Sequence, residues 1–170
     1  SGLGGGSSNA ATITKYLINK SKINLKLIDD LSNVAGSDFR LFFYNQTYLK
    51  DLKNVKKLRK SHKFYFLLVY PKIISSSKLA YKKVMSFSKK NHKDFSNITN
   101  REIFLKELSK EPNDLQKIIL KKYPILKKII TLINSQTGCK FARLTGSGSA
   151  CFGIFKDFKY ATKAKKKIKK

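Results

Sequence analysis

The chain has 170 residues, 41% of them hydrophobic, which is enough for one medium-sized domain or two small ones with a packed core. No apolar run approaches the roughly 18–20 residues that a membrane-spanning helix needs, and the sequence does not open on a signal-peptide pattern. The two cysteines, Cys139 and Cys151, lack metal-ligand spacing, so we expect reduced thiols in a cytoplasmic protein.

The formal net charge of +27 raises the hypothesis of a basic nucleic-acid-binding module. Only four of the 37 basic residues are arginine, which nucleic-acid sites favour because its guanidinium forms bidentate hydrogen bonds and stacks on bases. The lysines instead accompany abundant Ile, Asn, Phe and Tyr, the residues that A/T-rich codons specify. The composition favours lysines on solvated faces, so we expect neither a nucleic-acid nor a membrane partner. A nucleic-acid-binding module remains the alternative from a different class.

The first third of the chain predicts helices. Good N-cap residues at positions 7–9 precede apolar residues at helical spacing, which predicts a helix over about Ser8–Lys20, and a second is expected over Leu25–Val34. Gly36-Ser37-Asp38 predicts a turn or a helix start. A strand is possible at Arg40–Tyr44, and a Lys-rich segment follows it.

The remainder of the chain mixes strands and helices. Lys63–Tyr70 is aromatic and strongly β-forming, and therefore predicts a buried strand. Further strands are expected at Phe141–Leu144 and Ala150–Phe155. Helices are expected at Ser77–Lys90, Asn100–Lys110, Asn113–Lys122, Pro124–Gln136 and Tyr160–Lys170. Gly138 is the expected stop of the Pro124–Gln136 helix. This order predicts an α+β fold with helices over one face of an antiparallel sheet. A domain boundary is plausible near residue 60.

The glycine-rich segment Gly2–Asn9 (GLGGGSSN) has the composition of a phosphate-binding loop that leads into a helix. Glycines leave room for several backbone N–H groups to converge on one phosphate, and the start of a helix adds unsatisfied N–H groups and a partial positive charge. Hydroxyls at Ser7 and Ser8 could bond phosphate oxygens or ligate Mg²⁺. The spacing fits neither a P-loop nor the dinucleotide fingerprint. A flexible linker is the alternative, but a linker would not run into a capped amphipathic helix.

A second small-residue loop, Thr145-Gly146-Ser147-Gly148-Ser149, joins the two last predicted strands. It is either a simple hairpin turn or a second patch that a ligand approaches closely.

These two segments carry a family resemblance. GLGGGSSNAA and LTGSGSACFG resemble the second and third motifs of the GHMP kinases, and the GGGSSNAA form is characteristic of the members that act on 4-diphosphocytidyl-2-C-methyl-D-erythritol. Three further segments resemble that family in the same order, namely Gly36-Ser37-Asp38, Pro71–Ser77 and Asn113-Asp114-Leu115.

The resemblance implies an ATP-dependent kinase that phosphorylates the 2-hydroxyl of 4-diphosphocytidyl-2-C-methyl-D-erythritol in non-mevalonate isoprenoid biosynthesis. It implies the end of a ribosomal-protein-S5-like N-terminal domain over residues 1–61 and a ferredoxin-like C-terminal domain over residues 62–170. Asp38 matches the family's catalytic aspartate, which accepts or orients the hydroxyl proton; without the resemblance it would be a cap or turn residue. Ser8 would ligate Mg²⁺. The residues implied to bind ATP are Gly2, Leu3, Gly4, Gly5, Gly6, Ser7, Ser8, Asn9, Thr145, Gly146, Ser147, Gly148 and Ser149.

The chain also departs from the family. The region that carries the family's catalytic lysine and cytidine-binding residues has no counterpart here, so we expect a fragment that is inactive alone. The segment Phe39–Ser61 diverges from the family pattern. Another GHMP kinase, acting on homoserine, a sugar or mevalonate, is the nearest alternative. His62 and His92 show no partner pattern and are expected at the surface.

Overall fold

The computed structural model describes residues 3–21, 26–49, 54–84, 87–88 and 94–168. The chain divides into two compact units. One contains residues 4–61 together with 94–99; the other contains residues 1–3, 62–93 and 100–170. No helix among the described residues is both long enough and apolar enough to cross a membrane.

The first unit is built on helices. The two predicted helices are confirmed as α1 (Gly5–Ser21) and α2 (Lys26–Ala35). Ala11 and Thr14 are buried in α1, whereas the apolar side chains of Ile13 and Leu17 are 61% and 44% exposed.

A 3₁₀ helix (Ser37–Phe43) follows α2, so the possible strand at Arg40–Tyr44 is wrong. In this helical backbone the ring centroids of Phe39 and Phe43, four residues apart, lie 5.0 Å from each other. Phe39 is fully buried, and its burial outweighs the β propensity of its aromatic neighbours.

Two short strands of the first unit lie in the Lys-rich segment. β1 (Thr47–Leu49) and β2 (Val55–Lys57) pair antiparallel, with Thr47 opposite Lys57. Residues 94–99 join this unit: the Tyr48 hydroxyl donates to an Asp94 carboxylate oxygen at 2.7 Å, and the Arg59 amide donates to the Ser96 carbonyl at 3.0 Å.

The second unit is a three-stranded antiparallel sheet with helices. Its strands are β3 (Tyr65–Val69), β4 (Cys139–Leu144) and β5 (Cys151–Phe155), in the order β3-β5-β4. Its helices are α3 (Ser77–Lys82), α4 (Arg101–Leu108), α5 (Asp114–Lys122), α6 (Pro124–Asn134) and α7 (Phe158–Ile168). The three predicted strands and five predicted helices are thus confirmed. The first helix ends at Lys82, eight residues before its predicted end.

The main core lies between the sheet and the helices α5, α6 and α7. Leu126, Ile133 and Phe155 are fully buried there. A side chain at Gly153 would put its Cβ 2.4 Å from the Ile133 side chain, so glycine lets α6 approach the central strand closely. Alternate strand residues face opposite sides, and Ile154 packs with α4 on the other face of the sheet.

His62 is a correction to the expected surface histidine. It is 4% exposed, and its ring centroid lies 4.7 Å from that of Phe104 in α4. Its neighbours in the chain are polar, so only the tertiary contact reveals the burial. His92 lies outside the described residues.

Candidate active site

The glycine-rich segment of the first unit forms the start of α1. Gly4 has a φ of 62°, and its carbonyl accepts from the Ser8 amide at 2.8 Å as the first bond of the helix. A Cβ at Gly4 would lie 2.9 Å from Phe42 Cζ. Glycine is therefore required at this position both by the backbone conformation and by the contact with Phe42.

Gly5 and Gly6 occupy the first turn of α1 and are exposed. A Cβ at either position would meet nothing within 4 Å, so the space over this turn is open. The first N–H groups of a helix have no intrahelical acceptor and carry a partial positive charge. This turn therefore presents donors to an unobstructed approach, as an anion such as phosphate requires.

The expected serine caps are wrong, because α1 begins three residues earlier than predicted. Ser7 and Ser8 lie inside the first turn, and the Ser7 hydroxyl donates to the Ala35 carbonyl at 3.2 Å. Ser8 is half-buried, while Leu3 and Asn9 are exposed. Gly2 lies outside the described residues.

Asp38 is exposed in the first turn of the 3₁₀ helix, two residues after Gly36, which has a φ of 95°. The residues that follow it hold it in place. Phe39 is fully buried, and the Arg40 guanidinium pairs with the Asp29 carboxylate at 3.1 Å and donates to the Ser32 hydroxyl at 3.0 Å. An exposed carboxylate on an anchored turn can accept a proton from a substrate hydroxyl without being buried in the core.

The second predicted loop lies in the other unit, as a tight turn between β4 and β5. The Gly148 amide donates to the Thr145 carbonyl at 2.9 Å, and the Thr145 amide donates to the Ala150 carbonyl at 3.0 Å. Gly146 and Gly148 have φ values of 52° and 68°, which explains why glycine alternates with serine. Ser147 and Ser149 are buried, so their side chains serve the protein interior.

Two surrounding segments anchor this turn. The Ser75 hydroxyl donates to the Ser147 carbonyl at 2.8 Å, and the Ser77 and Ser147 hydroxyls lie 2.7 Å apart in a hydrogen bond. From the start of α5, the Asn113 amide group donates to the Gly146 carbonyl at 2.8 Å and to the Leu144 carbonyl at 3.3 Å.

The resemblance had singled out Pro71–Ser77 and Asn113-Asp114-Leu115 without a role for either. The structure brings Ser75, Ser77 and Asn113 to one loop, which spacing along the chain could not reveal. Phe42 and Arg40 were likewise missed, since their functions are to pack and to pair.

Neither thiol has the character of a nucleophile. Burial raises the pKa of Cys139 and of Cys151 to about 11, so both are protonated near neutral pH. Within the described ranges, no group of three or more His, Cys, Asp or Glu residues is placed to hold a metal ion.

Comparison with known proteins agrees with these motifs. Over 167 residues the chain is 36% identical to the 4-diphosphocytidyl-2-C-methyl-D-erythritol kinase of Pelagibacter ubique, covering 96% of this chain and 58% of that relative. Residues 91–170 match the family described as GHMP kinases C terminal. The chain is thus similar to the GHMP kinases over residues 91–170 and to the named kinase over nearly its whole length.

Two further comparisons give the same similarity. The kinase of the same name from Thermodesulfovibrio yellowstonii is 34% identical over 177 residues, with 97% of this chain and 61% of the relative covered. A crystal structure of 4-(cytidine 5'-diphospho)-2C-methyl-D-erythritol kinase superposes with a TM-score of 0.71 over 99% of this chain and 62% of that one, at 22% identity. The predicted α+β GHMP kinase fold is thus confirmed. The chain spans about three fifths of the length of these GHMP kinases.

Proposed function

We propose that this chain is part of an ATP-dependent kinase that phosphorylates the 2-hydroxyl of 4-diphosphocytidyl-2-C-methyl-D-erythritol. The observation that carries the proposal is the open glycine turn of α1, tied through Ser7 and Ala35 to the turn that bears Asp38. The pairing of an anion-binding turn with an exposed carboxylate is what phosphoryl transfer to an alcohol requires. The names of the two relatives support 4-diphosphocytidyl-2-C-methyl-D-erythritol as the acceptor.

In the proposed reaction the amides of Gly5, Gly6 and Ser7 hold phosphate oxygens of ATP. The substrate hydroxyl oxygen forms a bond to the γ-phosphorus, the bond from that phosphorus to the β–γ bridging oxygen breaks, and ADP leaves. Asp38 takes the hydroxyl proton. Mg²⁺ would neutralise charge on the phosphates, with the Ser8 hydroxyl as the protein ligand that we propose. Positioning and charge neutralisation supply most of the rate enhancement in such reactions.

We assign residues 1–61 to the end of the N-terminal, ATP-binding domain and residues 62–170 to the C-terminal domain. The turn Thr145–Ser149 is proposed as a second ATP-binding segment. Its supporting features are the positive φ values at Gly146 and Gly148 and its anchoring by two other segments.

The test is a chimera in which this chain replaces the matching segment of the Pelagibacter relative. The purified chimera is incubated with ATP, Mg²⁺ and a panel of 4-diphosphocytidyl-2-C-methyl-D-erythritol, homoserine, galactose and mevalonate, and ADP formation is followed. We expect turnover with the first compound alone. Turnover with another acceptor instead would assign the chain to a GHMP kinase of different specificity. If the chimera forms ADP with no compound of the panel, the kinase proposal is contradicted.

A further inference from the structure

Asn113 uses both ends of its side-chain amide. Its Oδ1 accepts from the Leu115 amide at 3.1 Å and so caps α5, while its Nδ2 donates to the carbonyls of Gly146 and Leu144. One planar group thus joins the start of α5 to the turn Thr145–Ser149. The Gln116 side chain adds to this link, because its Oε1 accepts from the Leu144 amide at 2.9 Å.

The opposite side of the turn is held by serines. The Ser75 hydroxyl donates to the Ser147 carbonyl, and the Ser149 hydroxyl donates to the Ile73 carbonyl at 2.5 Å. The carbonyls of Gly146 and Ser147 are therefore both fixed from outside the turn. A peptide group is planar, so fixing these carbonyls also fixes the direction of the amides that follow them.

Gly146 is the exposed member of the turn. Among the described residues its amide donates to no protein acceptor, unlike the amides of Thr145 and Gly148. A backbone N–H on a glycine turn with positive φ is a donor suited to an anion. The Gly146 N–H shares its peptide plane with the Thr145 carbonyl, which accepts from the Gly148 amide. Asn113 holds the carbonyls of the peptide planes on either side, those of Leu144 and Gly146, and so holds the turn around this N–H.

We propose that Asn113 is a positioning residue that orients the Gly146 amide toward a phosphate oxygen of the ligand. This role rests on the kinase function proposed above, because that function supplies the phosphate. Asn113 does not itself touch the ligand. Its contribution is to keep the turn and the start of α5 in one arrangement before the ligand binds, so that no ordering cost falls on binding.

The discriminating variant is Asn113→Asp in the 170-residue chain. The carboxylate keeps the oxygen that caps α5, in a position that favours negative charge. It loses both N–H donors and sets an anionic oxygen against two carbonyl oxygens. Asn100→Asp is the matched control, because Asn100 caps α4 through the same oxygen, accepting from the Glu102 and Ile103 amides at 2.9 and 3.1 Å.

Two measurements by ¹⁵N NMR follow the variants. Hydrogen exchange at the Thr145 and Gly148 amides reports whether the turn is held, and we expect it to rise about tenfold or more in Asn113→Asp but not in Asn100→Asp. The shift of the Gly146 amide on adding inorganic tripolyphosphate, in about 0.3 M KCl to screen the lysines, reports anion binding. We expect that shift in the wild type and in Asn100→Asp, and its loss in Asn113→Asp.

Ser75→Ala is the second variant, which removes a single oxygen and keeps the test available if Asn113→Asp fails to fold. It should raise exchange at the same two amides. If hydrogen exchange at these two amides is unchanged in both variants, the role of Asn113 is overturned, regardless of the result with tripolyphosphate. A third outcome is that exchange rises as expected while tripolyphosphate shifts the Gly146 amide in none of the proteins. In that case Asn113 holds the turn for structural reasons alone, and the phosphate site at Gly146, with that part of the proposed function, is overturned.

Discussion

The Ser7 hydroxyl donates to the Ala35 carbonyl oxygen at 3.2 Å, and so ties the first turn of α1 to the last residue of α2. Gly36 follows at once, and a Cβ placed there would lie 4.0 Å from the Ser7 Oγ. Two residues later comes Asp38. One short side chain thus joins the turn that is open to an anion to the segment that carries the candidate catalytic carboxylate.

Ser7→Ala should lower the free energy of unfolding of this chain by about 0.5–1.5 kcal/mol, the usual net value of one hydrogen bond. Urea unfolding followed by circular dichroism measures it. Thr12→Ala is the control, because the Thr12 hydroxyl donates to the Ser8 carbonyl within α1 and alanine recovers helix propensity. An equal loss in both variants would contradict the tie between α1 and α2.

Gly4→Ala should destabilise the chain by about 1–2 kcal/mol, because φ is positive and the new Cβ would press on the Phe42 ring. The pair Gly4→Ala with Phe42→Leu separates the two causes in the same urea experiment. If the double variant recovers stability, the contact with the Phe42 ring causes the loss. If it does not, the positive φ at position 4 is the cause.

Gly6→Ala should raise the stability of the chain but weaken its binding of ATP. Its Cβ would meet no protein atom, and alanine in a helix is favoured over glycine by about 1 kcal/mol, so unfolding should become harder. The same methyl group would occupy the space over the turn, so we expect ATP affinity, measured by titration calorimetry, to fall about tenfold or more. Unchanged affinity in the stabilised variant would exclude this turn as the phosphate site.

Asp38→Asn should reduce kcat of the chimera by about 10²–10⁴-fold, the range typical of a lost general base, without loss of stability because the side chain is exposed. Asp30→Asn is the control, since Asp30 is also exposed but lies in α2. Steady-state kinetics with saturating ATP gives kcat for both variants and for the wild type. Equal kcat values in the wild type and Asp38→Asn would remove Asp38 from the mechanism.

The first unit should lose stability in acid through Asp94. The Ser96 hydroxyl foremost, and then the Tyr48 hydroxyl, donate to its carboxylate and lower its pKa from 3.8 to about 2. A folded-state pKa below the unfolded one means that the contribution is complete above about pH 4 and disappears as the pH falls toward 2. The free energy of unfolding, measured with denaturant, should fall more steeply between these pH values in the wild type than in Asp94→Asn. Parallel pH profiles would show that Asp94 does not hold residues 94–99 to this unit.

Local signals in the sequence were sufficient where one segment decides its own structure. Asn113 and Pro124 mark the starts of α5 and α6 because an N-cap oxygen and a fixed proline φ act within one turn. β3 follows from a run of aromatic and aliphatic residues. Gly4, Gly146 and Gly148 were correctly expected outside helices and strands, because positive φ values leave a glycine signature.

Contacts between distant residues decided the rest. The start of α1 moved to Gly5 because Ser7 bonds to Ala35 instead of capping its own helix, and no pattern within ten residues contains that partner. The Arg40–Tyr44 segment became helical because Phe39 is buried and Arg40 pairs with Asp29. His62, flanked by polar residues, is buried against Phe104 for the same reason.

The sequence by itself therefore determined the resemblance to the GHMP kinases, through its motifs. It also determined the positions of the turn glycines and the order of the α+β elements, since these depend on backbone preferences and short spacings. The tertiary structure decided how the motifs are held: Ser7 against Ala35, and Asn113 with Ser75 around Thr145–Ser149. Such hydrogen bonds join residues that are 28 or more positions apart. Their geometry exists only once the core has packed, which is why no reading of neighbouring residues contains it.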